Sequence, residues 1–133
     1  MKHRYMLDTN TVSHILRHRA ETMRRVQQHP VDALCISCIT YAELRYGLEK
    51  KPETRKLPRL LAEFLKRVET IPFTSECAET YAKLRVAGEQ AGKSLSSMDM
   101  LIAAHAHHLE MILVTSDAAF SRIPNLVVEN WSR

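Results

Sequence analysis

Glycine is scarce, with 3 in 133 residues, and proline numbers only 5. That excludes a collagen-like or loop-rich chain. No apolar run approaches the roughly 18 uncharged residues of a membrane-spanning helix. Tyr5-Met6-Leu7, behind Lys2, His3 and Arg4, stops at Asp8 and is too short for a signal peptide. The expectation is a cytoplasmic protein with no membrane partner. Cysteine is sparse and odd in number: Cys35, Cys38 and Cys77. An odd count without a secretion signal argues against a disulfide framework. Cys35-Ile36-Ser37-Cys38 has the C-x-x-C spacing of a redox pair or half a zinc site. No second C-x-x-C or H-x3-5-H follows it, and its surroundings read as a buried strand.

What remains is an ordinary globular composition, 45% apolar and 26% charged. At this length one domain over residues 1–133 is expected, large enough to bury a core unaided. The net charge of +4 is uneven, because residues 1–30 hold six Lys or Arg against two acids and so carry all of it. A second basic stretch runs through Arg45, Lys50, Lys51, Arg55, Lys56, Arg59, Lys66 and Arg67. Clustered cations attract polyanions; the plainer reading is a solvated helix face.

Hydrophobic periodicity gives alternating elements. Strands are expected at Arg4–Leu7, Leu34–Ser37, Met111–Val114 and Leu126–Val128, with a brief one at Thr70–Pro72. Helices are expected over Thr9–His18, Glu21–Gln28, Thr40–Leu48, Leu57–Val68, Ser75–Ala91 and Ser97–Leu109, with a turn or short helix at 117–122. Strand–helix alternation of this kind predicts an α/β sandwich with a mainly parallel sheet.

Four acids take similar places in that scheme. Asp8 ends the first strand, Glu43 falls in the first turn of the helix after the second, Asp99 in the first turn of the apolar helix, and Asp117 just after Ile112-Leu113-Val114. In parallel sheets the carboxyl ends of strands and the amino ends of the following helices share one edge, where ligands bind. Singly, each acid is explained as a helix cap; Thr40-Tyr41-Ala42-Glu43 and Ser96-Ser97-Met98-Asp99 both fit a capping box. Jointly, they require protonation or a cation, since two like charges about 4 Å apart repel by roughly 4 kcal/mol at an effective dielectric of 20. Hard oxygen ligands suit Mg²⁺ or Mn²⁺, and the chemistry that follows is phosphodiester hydrolysis.

Four blocks carry a family resemblance: Tyr5-Met6-Leu7-Asp8-Thr9-Asn10, Ile39 to Gly47 around Glu43, Asp99 to Ala106, and Leu113-Val114-Thr115-Ser116-Asp117. Together with the ending Val128-Glu129-Asn130-Trp131, they make the chain resemble PIN-domain ribonucleases, most closely the VapC-type toxins of bacterial toxin–antitoxin modules. Each block alone is weak; all four, in order, span essentially the whole chain. The resemblance implies a three-layer α/β/α sandwich and an endoribonuclease needing Mg²⁺ or Mn²⁺. It assigns Asp8 and Asp99 as core metal ligands, completed directly or through water by Glu43 and Asp117; the last position is Asn in some members. Thr9, Asn10, Thr115 and Ser116 are the candidates for orienting those carboxylates, with turn and cap chemistry as the alternative. The family also implies a homodimer, neutralisation by a VapB-type antitoxin that inserts a segment into the acidic groove, contact with operator DNA only through that antitoxin, and inhibition of translation by cutting RNA such as tRNA, by analogy initiator tRNA. A non-catalytic nucleic-acid or partner-binding module and a metal-dependent DNA nuclease are the alternatives.

Other motifs carry less. Gly88-Glu89-Gln90-Ala91-Gly92-Lys93-Ser94 lacks the first glycine of a G-x-x-x-x-G-K-[ST] loop, since position 87 is Ala87, and Gly92 reads as a helix C-cap. His105 lies about 600° round the helix from Asp99 and should face away from it; His107 and His108 form no i, i+4 pair with another histidine. Asp8-Thr9-Asn10 lacks the D-x-D of aspartyl phosphatases. Trp131 offers a base a stacking face, but a single terminal Trp more often closes a core or a subunit contact.

Overall fold

A computed structural model of the chain describes residues 3–93 and 95–133; Lys2 of the basic amino-terminal stretch and Ser94 of the Gly88–Ser94 motif lie outside the described residues. The elements run β1 (Tyr5–Leu7), α1 (Thr9–Leu16), α2 (Ala20–Val26), a 3-10 turn (Val31–Ala33), β2 (Leu34–Ser37), α3 (Cys38–Glu49), α4 (Lys56–Arg67), β3 (Glu69–Ile71), α5 (Ser75–Gln90), α6 (Ser97–His108), β4 (Ile112–Val114), a second 3-10 turn (Ala118–Arg122) and β5 (Val128–Glu129). The five strands form one sheet in the order β3-β2-β1-β4-β5, and every pairing is parallel.

The sheet is buried on both faces, and the period-2 alternation of strands explains how. Tyr5, Leu7, Leu34, Ile36 and Val114 point into one core with Val12, Leu16, Leu61 and Trp131. Met6, Cys35 and Leu113 point into the other with Met100, Ile102, Ala103, Ala106 and Phe120. Helices α1, α2 and α4 thus cover one face and α6 with α5 the other, which is the three-layer α/β/α sandwich the family resemblance implies. The alanines at 103, 104 and 106 are fully buried, and such small side chains let α6 lie close to its neighbours. Among the described residues no helix is long and apolar enough to cross a membrane.

The cysteines are structural. All three are free. Cys35 sits inside β2, where burial pushes its thiol up to about 12, so it stays protonated and inert. Cys38 Sγ accepts the Phe73 backbone N–H at 3.2 Å. The Gly88–Lys93 segment ends a helix: a Cβ on Gly88 would lie 2.9 Å from the Lys93 carbonyl oxygen, and Gly92 takes the left-handed φ of +68° that favours glycine.

His105 is fully buried and turned away from Asp99, as the helical arithmetic requires. Its Nδ1 lies 2.8 Å from the Ser37 hydroxyl, and the Phe73 ring meets it edge-on at 5.3 Å. Burial, aided by the charge of His108 and opposed by the Pro72 backbone, pulls its pKa from 6.5 to about 4. A folded pKa below the unfolded one contributes stability above pH 6.5 that is lost as pH falls toward 4. Urea unfolding of the wild type should therefore lose about 2 kcal/mol between pH 7 and pH 5. The slope should flatten in His105→Gln; an equal slope in both proteins would contradict the burial argument.

Candidate functional site

The strand order places the site. β1 is followed in sequence by β2 on one side, while its other neighbour is β4, so the connections diverge at the carboxyl end of β1. Such a switch point leaves a crevice beyond the strand ends. Asp8 is the first residue past β1 and is only 4% exposed. Its Oδ1 accepts the Thr11 N–H at 2.8 Å, which caps α1. Its own N–H donates to the Val114 carbonyl at 3.0 Å, and the Thr11 hydroxyl donates to that same carbonyl at 3.0 Å. The carboxylate is thus fixed from both its own helix and the neighbouring strand.

Asp8, Glu43, Asp99 and Asp117 line one cavity of about 140 Å³, with Thr9, Asn10, Ile102 and Phe120. All four candidate acids therefore border the same cavity. Asp99 stands in the first turn of α6, where the Ser96 hydroxyl caps its N–H at 3.2 Å. Asp117 caps the second 3-10 turn through Ala119 N–H at 2.9 Å. For Asp8 and Asp117, cap and cavity wall are the same side chain, so the two readings of the sequence hold together.

Glu43 corrects the expectation. Helix α3 begins at Cys38, because the Ser37 hydroxyl accepts the Ile39 N–H at 3.0 Å. Glu43 therefore sits in the second turn, and Thr40 is no cap: it is buried inside α3 with no hydrogen-bond partner for its hydroxyl. Glu43 reaches the cavity from the side of the helix, held by a short hydrogen bond from the Thr9 hydroxyl to Oε1.

The supporting residues divide. Thr9 holds Glu43 as described. Thr115, itself buried, hydrogen bonds Asp8 through its hydroxyl and accepts the Asp117 N–H at 3.0 Å. Asn10 lines the cavity; Ser116 is not among its lining residues. Thr11 escaped the sequence reading, although an Asp followed three residues later by the first buried helix position is a recognisable cap signal.

Electrostatics singles out Asp8. Its pKa lies above 3.8, chiefly because burial penalises the charged form, with the Asp99 charge adding to the rise; the Thr115 hydroxyl and the amide and hydroxyl of Thr11 oppose it. A buried carboxylate beside another acid is a group whose charge a cation would relieve. Every charged donor in the cavity wall is an oxygen, which fits Mg²⁺ or Mn²⁺ and not a thiolate- or imidazole-bound metal. Among the described residues no three His, Cys, Asp or Glu side chains already converge on one ion.

A family model described as PIN domain matches residues 5–126. Ribonuclease VapC2 of Rickettsia felis is 36% identical over 132 residues, 97% of this chain and 98% of the relative. The tRNA(fMet)-specific endonuclease VapC of Salmonella typhimurium is 30% identical, covering 96% of this chain and 98% of that one. In structure, VapBC2 from Rickettsia felis bound to a DNA fragment from their promoter superposes with a TM-score of 0.88 at 36% identity, over 96% of this chain and 98% of the other.

Proposed function

Because this chain belongs to the PIN-domain family, among its VapC ribonucleases, we propose that it is a divalent-metal-dependent endoribonuclease and the toxin of a toxin–antitoxin pair. The observation that carries the reading is that Asp8, Glu43, Asp99 and Asp117 line one cavity at the carboxyl edge of the sheet, where every charged group is a carboxylate. Asp8 and Asp99 are the residues to hold Mg²⁺ or Mn²⁺, with Glu43 and Asp117 completing the site directly or through water. A divalent ion bound there supplies Lewis acidity, acidifying water and neutralising charge on the scissile phosphate. The protein's own contribution is position: Thr9 aims Glu43, Thr115 links Asp8 to the Asp117 backbone, and the cap on α1 keeps Asp8 from turning away.

The substrate class that follows is RNA, with tRNA favoured by the relative specific for tRNA(fMet), and cleavage there would arrest translation. Structural relatives include VapBC complexes, one of them on promoter DNA. By extension this chain works as a homodimer, is neutralised by a VapB-type antitoxin, and meets operator DNA only through it. The test uses the full chain freed of any antitoxin, with RNA and DNA of one sequence. Cleavage of RNA with Mg²⁺ or Mn²⁺, none with EDTA and none of DNA is the expected result. Metal-dependent cleavage of DNA alone would assign a DNA nuclease; binding of RNA without metal-dependent products would assign a non-catalytic module.

A further inference from the structure

A groove of about 290 Å³ adjoins the acidic cavity and shares Thr9 and Glu43 with it. One wall is helix α3, where Glu43, Gly47 and Lys50 follow at steps of four and three residues. Those steps keep all three on one stripe of the helix. Arg17 and Lys51 line the same groove, together with Leu16, Leu44, Leu48, Leu57 and Leu61. Among the described residues Arg17, Lys50 and Lys51 form no ion pair, whereas Arg45 on another side of α3 is paired with Glu49 at 3.8 Å. The exposed Tyr46 ring lies 5.1 Å from the Lys50 ammonium.

Gly47 is the residue the fold does not explain. It stands inside a helix, where glycine is a poor choice. A Cβ there would meet nothing within 4 Å, so no neighbour in the protein demands its absence. A bare helix surface between the acidic cavity and three cations that form no ion pair among the described residues leaves room for something that approaches the backbone closely.

We propose that this groove is the track for the RNA backbone flanking the scissile phosphate, with Arg17, Lys50 and Lys51 contacting phosphates and Gly47 providing clearance. The proposal rests on the ribonuclease reading for its substrate. The charge complementarity and the direct continuity with the acidic cavity carry the placement. The plainer account is that Lys50 and Lys51 merely complement the negative end of the α3 dipole, and the experiment separates the two.

Antitoxin-free full-length protein is titrated in EDTA with a fluorescein-labelled single-stranded oligouridylate across a range of KCl. Each phosphate contact on a single strand contributes about 0.7 to the slope of log affinity against log salt. The Lys50→Gln/Lys51→Gln double variant should therefore lower the slope by about 1.4, and Arg17→Gln by about 0.7. Gly47→Leu keeps a good helix former and open space around it, yet should weaken binding about tenfold or more by filling the track, without lowering the melting temperature. An unchanged slope in the lysine double variant, or unchanged affinity in Gly47→Leu, overturns the proposal; a role confined to the helix dipole would move the melting temperature alone. Absence of metal-dependent cleavage by the wild type would count against the ribonuclease reading and leave these binding results to stand on their own.

Discussion

Asp8→Asn is expected to reduce metal-dependent RNA cleavage by about a thousandfold or more while leaving the protein folded. A bound cation supplies several kcal/mol of charge stabilisation, and each 1.36 kcal/mol is about a factor of ten in rate. The fold should survive because an Asn oxygen accepts the Thr11 N–H as the Asp oxygen does. Its stability should even rise at neutral pH in the absence of metal. The folded pKa of Asp8 is raised above 3.8, so what Asp8 contributes is fully present below that value and is lost as pH climbs through the raised one. Asn has no charge to bury and suffers no such loss. Thermal unfolding of metal-free protein should thus show the variant at or above the wild type at pH 7, with the gap closing under acid conditions. Mn²⁺ should stabilise the wild type and have little effect on the variant. Wild-type cleavage rates in Asp8→Asn would remove Asp8 from the chemistry.

Trp131→Ala is expected to cost about 3–5 kcal/mol, lowering the melting temperature by roughly 10–20 °C. The ring is 1% exposed. It stacks on His29 at 5.0 Å and 8°, packs obliquely on Tyr5 at 5.2 Å, and lies under the Arg25 guanidinium at 5.9 Å. Its indole N–H donates to Glu129 Oε1 at 2.9 Å, and Arg25 reaches that same carboxylate oxygen at 3.6 Å. One side chain therefore fastens β5 and the segment after it onto β1 and the turn after α2. Trp131→Phe keeps the stacking and loses the hydrogen bond, so about 1–2 kcal/mol is expected. Calorimetry of both variants checks the order; a small loss in Trp131→Ala would contradict the packing argument.

Sheet, layers and acids were legible in the sequence for physical reasons that can be named. Strands buried on both faces read as short continuous apolar runs, which is why Tyr5–Leu7 and Leu34–Ser37 stood out. Asp8 was visible because it follows such a run directly, and Asp117 because it lies three residues past another. Less visible were features set by competition between neighbours. Ser37 and Thr40 both offer a capping hydroxyl ahead of α3, and local pattern favoured Thr40 with Glu43. Packing decided for Ser37, whose hydroxyl also meets His105 from α6, a partner 68 residues away. The last strand likewise moved from Leu126–Val128 to Val128–Glu129, because its register is set by Leu113 and Val114 across the sheet. Gly47 could not be judged at all without coordinates, since the emptiness around it has no signature in the sequence.

The bond from the Thr11 hydroxyl to the Val114 carbonyl spans 103 residues, and the Asp8 amide leans on that same carbonyl. Contacts of such reach close late. A growing polypeptide therefore carries Asp8 long before it carries the strand that orients it. Until β4 is made and docks beside β1, the Asp8 amide and the Thr11 hydroxyl lack the carbonyl that holds them.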